Sequence, residues 1–105
     1  MKNQDFFVYT FYRFIKIDNK NNIKSKLDKY LIKKQLRGTI LLADEGINAS
    51  ISGSHTELNN LIKFIKKILN IRKIIIKINK VNIFPFNRMK VRLKKEIVSL
   101  GILDL

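Results

Sequence analysis

The chain contains no cysteine. That excludes a disulfide, a thiolate nucleophile and any Cys-ligated metal. Histidine occurs once, at His55, and only eight side chains are acidic. A lone imidazole builds no metal site without carboxylate partners. Only Asp44 and Glu45 are adjacent, and neighbours at a strand end point apart. Neither a metal site, a cofactor motif nor a catalytic constellation is therefore expected. Glycine is scarce, with four in the chain, and none sits in a phosphate loop of the dinucleotide or nucleoside-triphosphate type. Proline occurs once, at Pro85. No apolar run reaches the roughly 18 residues that argue for a membrane-spanning helix. The apolar stretch Phe6 to Ile15 is too short to span, and Asp5 precedes it. The expectation is a cytoplasmic protein with no membrane partner.

What is present is positive charge and aliphatic bulk. A chain of 105 residues, 46% hydrophobic, is long enough for one domain with one core. Its net charge is +14 and its pI is near 10.3, a balance that favours a polyanionic partner. The charge is partly compositional. Seventeen Lys stand beside 18 Ile and 11 Asn, the joint excess that an AT-rich genome imposes on neutral positions. The five Arg residues run against that drift. Two of them, Arg88 and Arg92, fall in the most informative segment.

From Arg88 to Lys94 apolar and basic residues alternate strictly. Met89, Val91 and Leu93 point one way; Arg88, Lys90, Arg92 and Lys94 point the other, the period of a half-buried strand. Like charges along one strand face repel, and an anion lying against them relieves that repulsion. The competing reading is a solvated strand face with no partner.

The rest of the chain divides cleanly. Phe6 to Ile15 is aromatic and β-branched, as in a central strand apolar on both faces. Asp18 to Asn22 is a turn rich in cap-formers. Ile23, Leu27, Tyr30 and Leu31 recur at helical spacing, which predicts a helix from about Ile23 to Gln35, stopped by Gly38. Thr39 to Ala43 predicts a short strand and Asp44-Glu45-Gly46 a turn. Ile47, Ala49 and Ile51 alternate with Asn48, Ser50 and Ser52, so the two strands form a hairpin closed by Gly53. Ser54 and Glu57 make a capping box before the amphipathic run Leu58, Leu61, Ile62, Ile65, Ile68, Leu69. His55, at this helix start, reads as a surface residue. Lys73 to Ile78 predicts a strand, Val81 to Phe86 a loop, and the basic strand follows.

This order, β-α-β-β-α-β with a further strand, predicts an α+β fold. It is the ferredoxin-like, acylphosphatase-like split β-α-β sandwich, with two helices on one face of a four- to five-stranded sheet. Residues 1–105 form a single domain without repeats or a linker. The apolar end at Ile102, Leu103 and Leu105 suggests a longer natural protein or a tail packed on a partner. Acylphosphatase activity does not follow from the fold: Arg13-Phe14-Ile15-Lys16 leads into polar turn residues, not a Gly-rich anion loop. The Glu45-Gly46-Ile47-Asn48 turn is a further feature. Gly46 can supply positive φ, and the Asn48 amide can offer a donor and an acceptor to a base edge or a backbone. Plain hairpin chemistry explains the turn equally well.

Two segments together carry a resemblance: Ala43-Asp44-Glu45-Gly46-Ile47-Asn48-Ala49-Ser50-Ile51-Ser52-Gly53, and Phe86 to Val98. With Tyr12-Arg13-Phe14 and Arg37-Gly38-Thr39, the chain resembles the amino-terminal domain of the rhodanese-related tRNA uridine hydroxylases. The resemblance spans nearly the whole length. It implies a parent protein that makes 5-hydroxyuridine at the tRNA wobble position, with a carboxy-terminal rhodanese domain holding the reactive cysteine. That rhodanese domain and tRNA are the implied partners. Asn87 stands where relatives often carry His. The chain is thus expected to be the tRNA-recognition domain of an oxygen-dependent hydroxylase and not catalytic alone. Arg13, Arg88, Lys90, Arg92 and Lys94 would contact RNA, and Glu45, Gly46 and Asn48 would position a base or the partner domain. The alternative is an interaction domain whose ladder docks an acidic partner or the rhodanese domain.

Overall fold

The computed structural model describes residues 6–82 and 88–95. The order is β1 (Phe6–Phe14), α1 (Lys20–Leu31), β2 (Arg37–Ala43), β3 (Gly46–Gly53), α2 (His55–Leu69), β4 (Lys77–Val81) and β5 (Met89–Leu93). The strands form one sheet in the order β4-β1-β3-β2-β5. Three of the pairings are antiparallel, and β2 with β5 is parallel. This is the expected α+β sandwich. Pro85, Asn87, the segment from Glu96 to Val98 and the apolar residues Ile102, Leu103 and Leu105 lie outside the described residues.

Both helices pack on one sheet face. β1, β3 and β2 contribute Tyr9, Phe11, Ile47, Ile51, Ile40 and Leu42 to the core; the helices contribute Ile23, Leu27, Leu58, Leu61, Ile62 and Ile65. Tyr30 of α1 and Phe64 of α2 stack at 4.3 Å between centroids, which joins the helices where their cores thin out. Burial and the nearby Glu57 carboxylate both push the Tyr30 phenol above its ordinary range. Among the described residues the opposite sheet face carries no helix. Thr10 and Ser50 face each other there, with oxygens 3.4 Å apart.

Several boundaries differ from the sequence expectation: α1 begins at Lys20 instead of Ile23, β2 at Arg37 instead of Thr39, and β4 runs to Val81 instead of ending at Ile78. Three further differences have a physical reason. First, α1 ends at Leu31, not Gln35. Ile32 is extended and Lys33 takes a left-handed φ of 67°, because Leu36 must turn into the core and Arg37 must pair with Ser52. Second, Gly38 is no helix stop; it lies inside β2 with φ 137°, and a Cβ there would meet the Ser50 carbonyl at 2.2 Å. Third, the fourth strand starts at Lys77 instead of Lys73. Ile74 turns into the core, and the consecutive Ile74, Ile75 and Ile76 carry no period to fix a register.

The Ser54 half of the expected capping box forms: Ser54 Oγ accepts the Glu57 N–H at 3.2 Å. The far end closes at Asn70, which is left-handed and donates its N–H to Lys66 and Lys67 carbonyls. His55 is exposed as expected, but it is not idle. Tyr9, which is 1% exposed, donates its hydroxyl proton to Asn59 Oδ1 at 2.7 Å. Its oxygen also lies 2.8 Å from His55 Nδ1, with which it shares a hydrogen bond. This cluster staples β1 to the first turn of α2. Burial pushes the Tyr9 phenol above its ordinary value of 10.0. The folded state thus favours the neutral phenol. The resulting stability is complete below pH 10 and is lost as pH rises through the raised pKa. Tyr9→Phe is expected to cost about 0.5–1.5 kcal/mol at neutral pH and to soften the alkaline loss. Urea unfolding at pH 7 and above pH 10 measures both effects.

Candidate nucleic-acid interface

β5 is the sheet edge, paired to β2 with Met89 opposite Gly38, Val91 opposite Ile40 and Leu93 opposite Leu42. Backbone bonds just outside the strand fix both ends: Gly38 N–H donates to the Arg88 carbonyl at 3.0 Å, and Lys94 N–H to the Leu42 carbonyl at 2.7 Å. Val91 is buried, and Met89 and Leu93 pack on the core. Strand alternation then carries Lys90 and Arg92, with Arg88 and Lys94 flanking them, to the helix-free face. Arg88, Arg92 and Lys94 are exposed and Lys90 is half-buried.

Successive cations on one face stand about 6.6 Å apart, two strand residues. Among the described residues no carboxylate pairs with any of them. The ion pairs there are Lys16–Asp18, Lys20–Asp44 and Lys24–Asp28. Lys20 Nζ sits 3.2 Å from Asp44 and 3.4 Å from the Lys94 carbonyl. It thereby ties the start of α1, the β2–β3 turn and the end of β5 together. The result is an uncompensated positive edge on a firmly held strand, an arrangement suited to repeated anionic groups.

The other expected site residues lie elsewhere. Arg13 is on β1, three strands from β5. It is half-buried, and its guanidinium donates to the Lys73 carbonyl. Glu45 is exposed in the two-residue turn between β2 and β3, and its carbonyl accepts the Ile15 N–H at 2.9 Å. Gly46 opens β3 with φ 153°. Asn48 pairs with Tyr12 on one side and Leu41 on the other, only 8% exposed. Asn48 belongs to one row across the open face: Tyr12, Asn48, Leu41, Arg92. Sequence reasoning placed Arg92 and Asn48 but not the row, since cross-strand register is invisible in a single strand. It also did not single out Tyr12 and Phe14 as surface aromatics, although both are exposed. The signal was the alternation of Thr10, Tyr12 and Phe14, obscured by Phe11 between them and by the apolar residues earlier in the strand.

The fold and this edge define an α+β domain of acylphosphatase type that presents a cationic strand. A family model described as the UPF0176 acylphosphatase like domain matches residues 6–97, and the chain belongs to that family. Its relatives include a tRNA uridine(34) hydroxylase of Pelagibacter ubique (strain HTCC1062). That protein is 46% identical over 98 residues, which is 92% of this chain and 33% of the relative. The protein of the same name from Neorickettsia sennetsu is 40% identical over 102 residues, covering 97% and 36%. That of Rickettsia massiliae is 39% identical over 103 residues, covering 98% and 42%. The chain thus spans about a third to two fifths of these relatives. Among solved structures, the dark state of the BLUF protein BlrB superposes with a TM-score of 0.69 at 13% identity, over 97% of this chain and 80% of that one. Full-length HypF gives 0.53 at 15% identity, over 89% of this chain and 13% of that one. At these identities the likeness is one of fold. No helix among the described residues is long and apolar enough to cross a membrane. Among the same residues no group of three metal-ligating side chains gathers.

Proposed function

We propose that this chain is the tRNA-recognition domain of a tRNA wobble-uridine hydroxylase, with Arg88, Lys90, Arg92 and Lys94 contacting phosphates. The observation that carries the reading is the cationic edge of β5, with no carboxylate pairing it among the described residues, in a chain whose relatives bear the name tRNA uridine(34) hydroxylase. The chemistry belongs to the rest of such a protein, where the family resemblance puts a rhodanese domain and its cysteine. The Glu45-Gly46-Ile47-Asn48 stretch would position the base or that domain. A cytoplasmic location accords with a tRNA substrate.

The test is a titration of the chain with tRNA across a salt series. Each phosphate contact contributes roughly 0.7 to 0.9 to the slope of log affinity against log salt. Arg88→Gln with Arg92→Gln is expected to flatten the slope by about 1.4 to 1.8 for two lost contacts. An unchanged slope and affinity would remove the ladder from the interface. Binding only to the separately produced remainder of the protein, and not to tRNA, would favour the docking alternative. The chain alone is expected to hydroxylate no uridine; modified tRNA after incubation with it would overturn this division of labour.

A further inference from the structure

β4 begins at Lys77, opposite Thr10, so among the described residues the second half of β1 has β3 on one side and no strand on the other. The ladder identifies which backbone groups this leaves open. Ile15 N–H donates to the Glu45 carbonyl and Ile17 N–H to the Asp44 carbonyl. Antiparallel pairing alternates, so the odd residues of β1 bond toward β3 and the even ones toward the opposite edge. Thr10 faces Lys77 there. Tyr12 and Phe14 come next, and among the described residues no strand meets their N–H and C=O groups on that side.

These groups open into a groove of about 490 Å³ lined by Tyr12, Phe14, Ile75, Ile76 and Lys77, with Phe11 and Arg13 behind. That volume falls in the ~300–1,000 Å³ range of small-ligand sites. Tyr12 and Phe14 meet edge to face, centroids 5.6 Å apart. They are 38% and 57% exposed, and Ile75 across the groove is 80% exposed. Among the described residues no acidic side chain lines it. Lys77 stands at one end, and Arg72 and Lys73, both exposed, precede Ile75 in the wall segment.

We propose that this groove seats one unstacked base of single-stranded RNA. The base lies against the Tyr12 and Phe14 rings, since every base has a face that stacks on an aromatic side chain. The adjacent N–H and C=O of Tyr12 offer one donor and one acceptor to its edge. Lys77 meets the neighbouring phosphate. The inference rests on the RNA reading of β5 and narrows it to a single-stranded region. The row Tyr12, Asn48, Leu41, Arg92 links the two places across three strand spacings, about 14 Å, a distance that a short unpaired stretch of RNA bridges. An extended peptide could also add to a free strand edge, but the all-cationic rim complements a polyanion.

The experiment compares binding of a labelled single-stranded RNA with that of the same RNA in a duplex. Tyr12→Ala with Phe14→Ala is expected to weaken single-strand binding by about tenfold or more, leave duplex binding unchanged and preserve the salt slope. Tyr12→Phe retains a ring and should retain affinity. Ile75→Glu, at an exposed position outside any strand, should weaken binding without touching the sheet; circular dichroism checks the fold of each variant. If Arg88→Gln with Arg92→Gln weakens binding and the Tyr12/Phe14 pair does not, the groove reading fails alone. If neither weakens it, both readings fail. A groove that takes an extended peptide while RNA affinity is untouched also overturns the proposal.

Discussion

Leu27→Ala is expected to destabilise the domain by about 2–5 kcal/mol, the cost of a large-to-small change at a fully buried site. Leu27 is 0% exposed. Its helix, α1, is polar over most of its surface, and only Ile23 and Leu27 are buried along its 12 residues. No side chain caps its start at Asn19, so packing at these two positions, with Tyr30 and Leu31 partly buried beside them, holds it in place. Small domains retain only about 5–15 kcal/mol in total, so the variant should lose a large share of its stability. The effect reaches the candidate interface. Lys20 at the head of α1 holds the Asp44 carboxylate and the Lys94 carbonyl, so loosening α1 frees the end of β5. Urea unfolding measures the stability change, and amide exchange at Val91 reads the loosened edge. A loss below about 1 kcal/mol would show that α1 is anchored by something other than its buried leucine.

Gly46→Ala is the second large effect. With φ at 153°, Gly46 lies where L side chains are rarely found, and an added Cβ would meet the Arg13 carbonyl oxygen at 2.2 Å and Phe14 Cα at 3.0 Å. Both obstacles are backbone, so nothing gives by a rotamer change. Either β3 moves away from β1 or the turn reshapes, at an expected cost of about 2 kcal/mol or more. The movement also strains the neighbouring bond from Ile15 N–H to the Glu45 carbonyl. Thermal unfolding reports the loss. The same substitution tests the turn's role in RNA affinity: if tRNA affinity persists in a folded Gly46→Ala variant, Glu45-Gly46-Ile47-Asn48 contributes nothing to tRNA binding.

Elements whose period was unambiguous were legible in the sequence. β5 reads directly from Met89, Val91 and Leu93, and α2 from Ser54 and its apolar stripe. Where local preference and tertiary demand disagreed, the sequence misled. The helical period of α1 runs past Leu31, yet Arg37 has to reach Ser52, and that long-range pairing ends the helix. The isoleucines at 74 to 76 suit a strand, but Ile74 is drawn inward and pairing waits until Lys77. The candidate interface divides the same way. The ladder is a property of one strand and was visible. The row from Tyr12 to Arg92 and the groove beside Phe14 depend on the register of neighbouring strands and on where β4 begins. Neither is encoded in any single stretch. The link between Tyr9 and His55 spans 46 positions and leaves no local mark.

The position of β5 at the margin of the sheet has a consequence of another kind. An edge strand offers unpaired backbone groups to any other chain with a similar edge. Here each copy carries the same row of Arg88, Lys90, Arg92 and Lys94 beside that margin, so two copies approaching edge to edge meet like charges. The ladder therefore also acts as a colloidal guard. Its range is the Debye length, about 10 Å at 0.1 M salt and 3 Å at 1 M. Concentrated salt, the usual means of stripping bound nucleic acid from a basic protein, switches that guard off just when the strand loses any polyanion lying over it. Self-association in this domain should accordingly rise, not fall, with ionic strength.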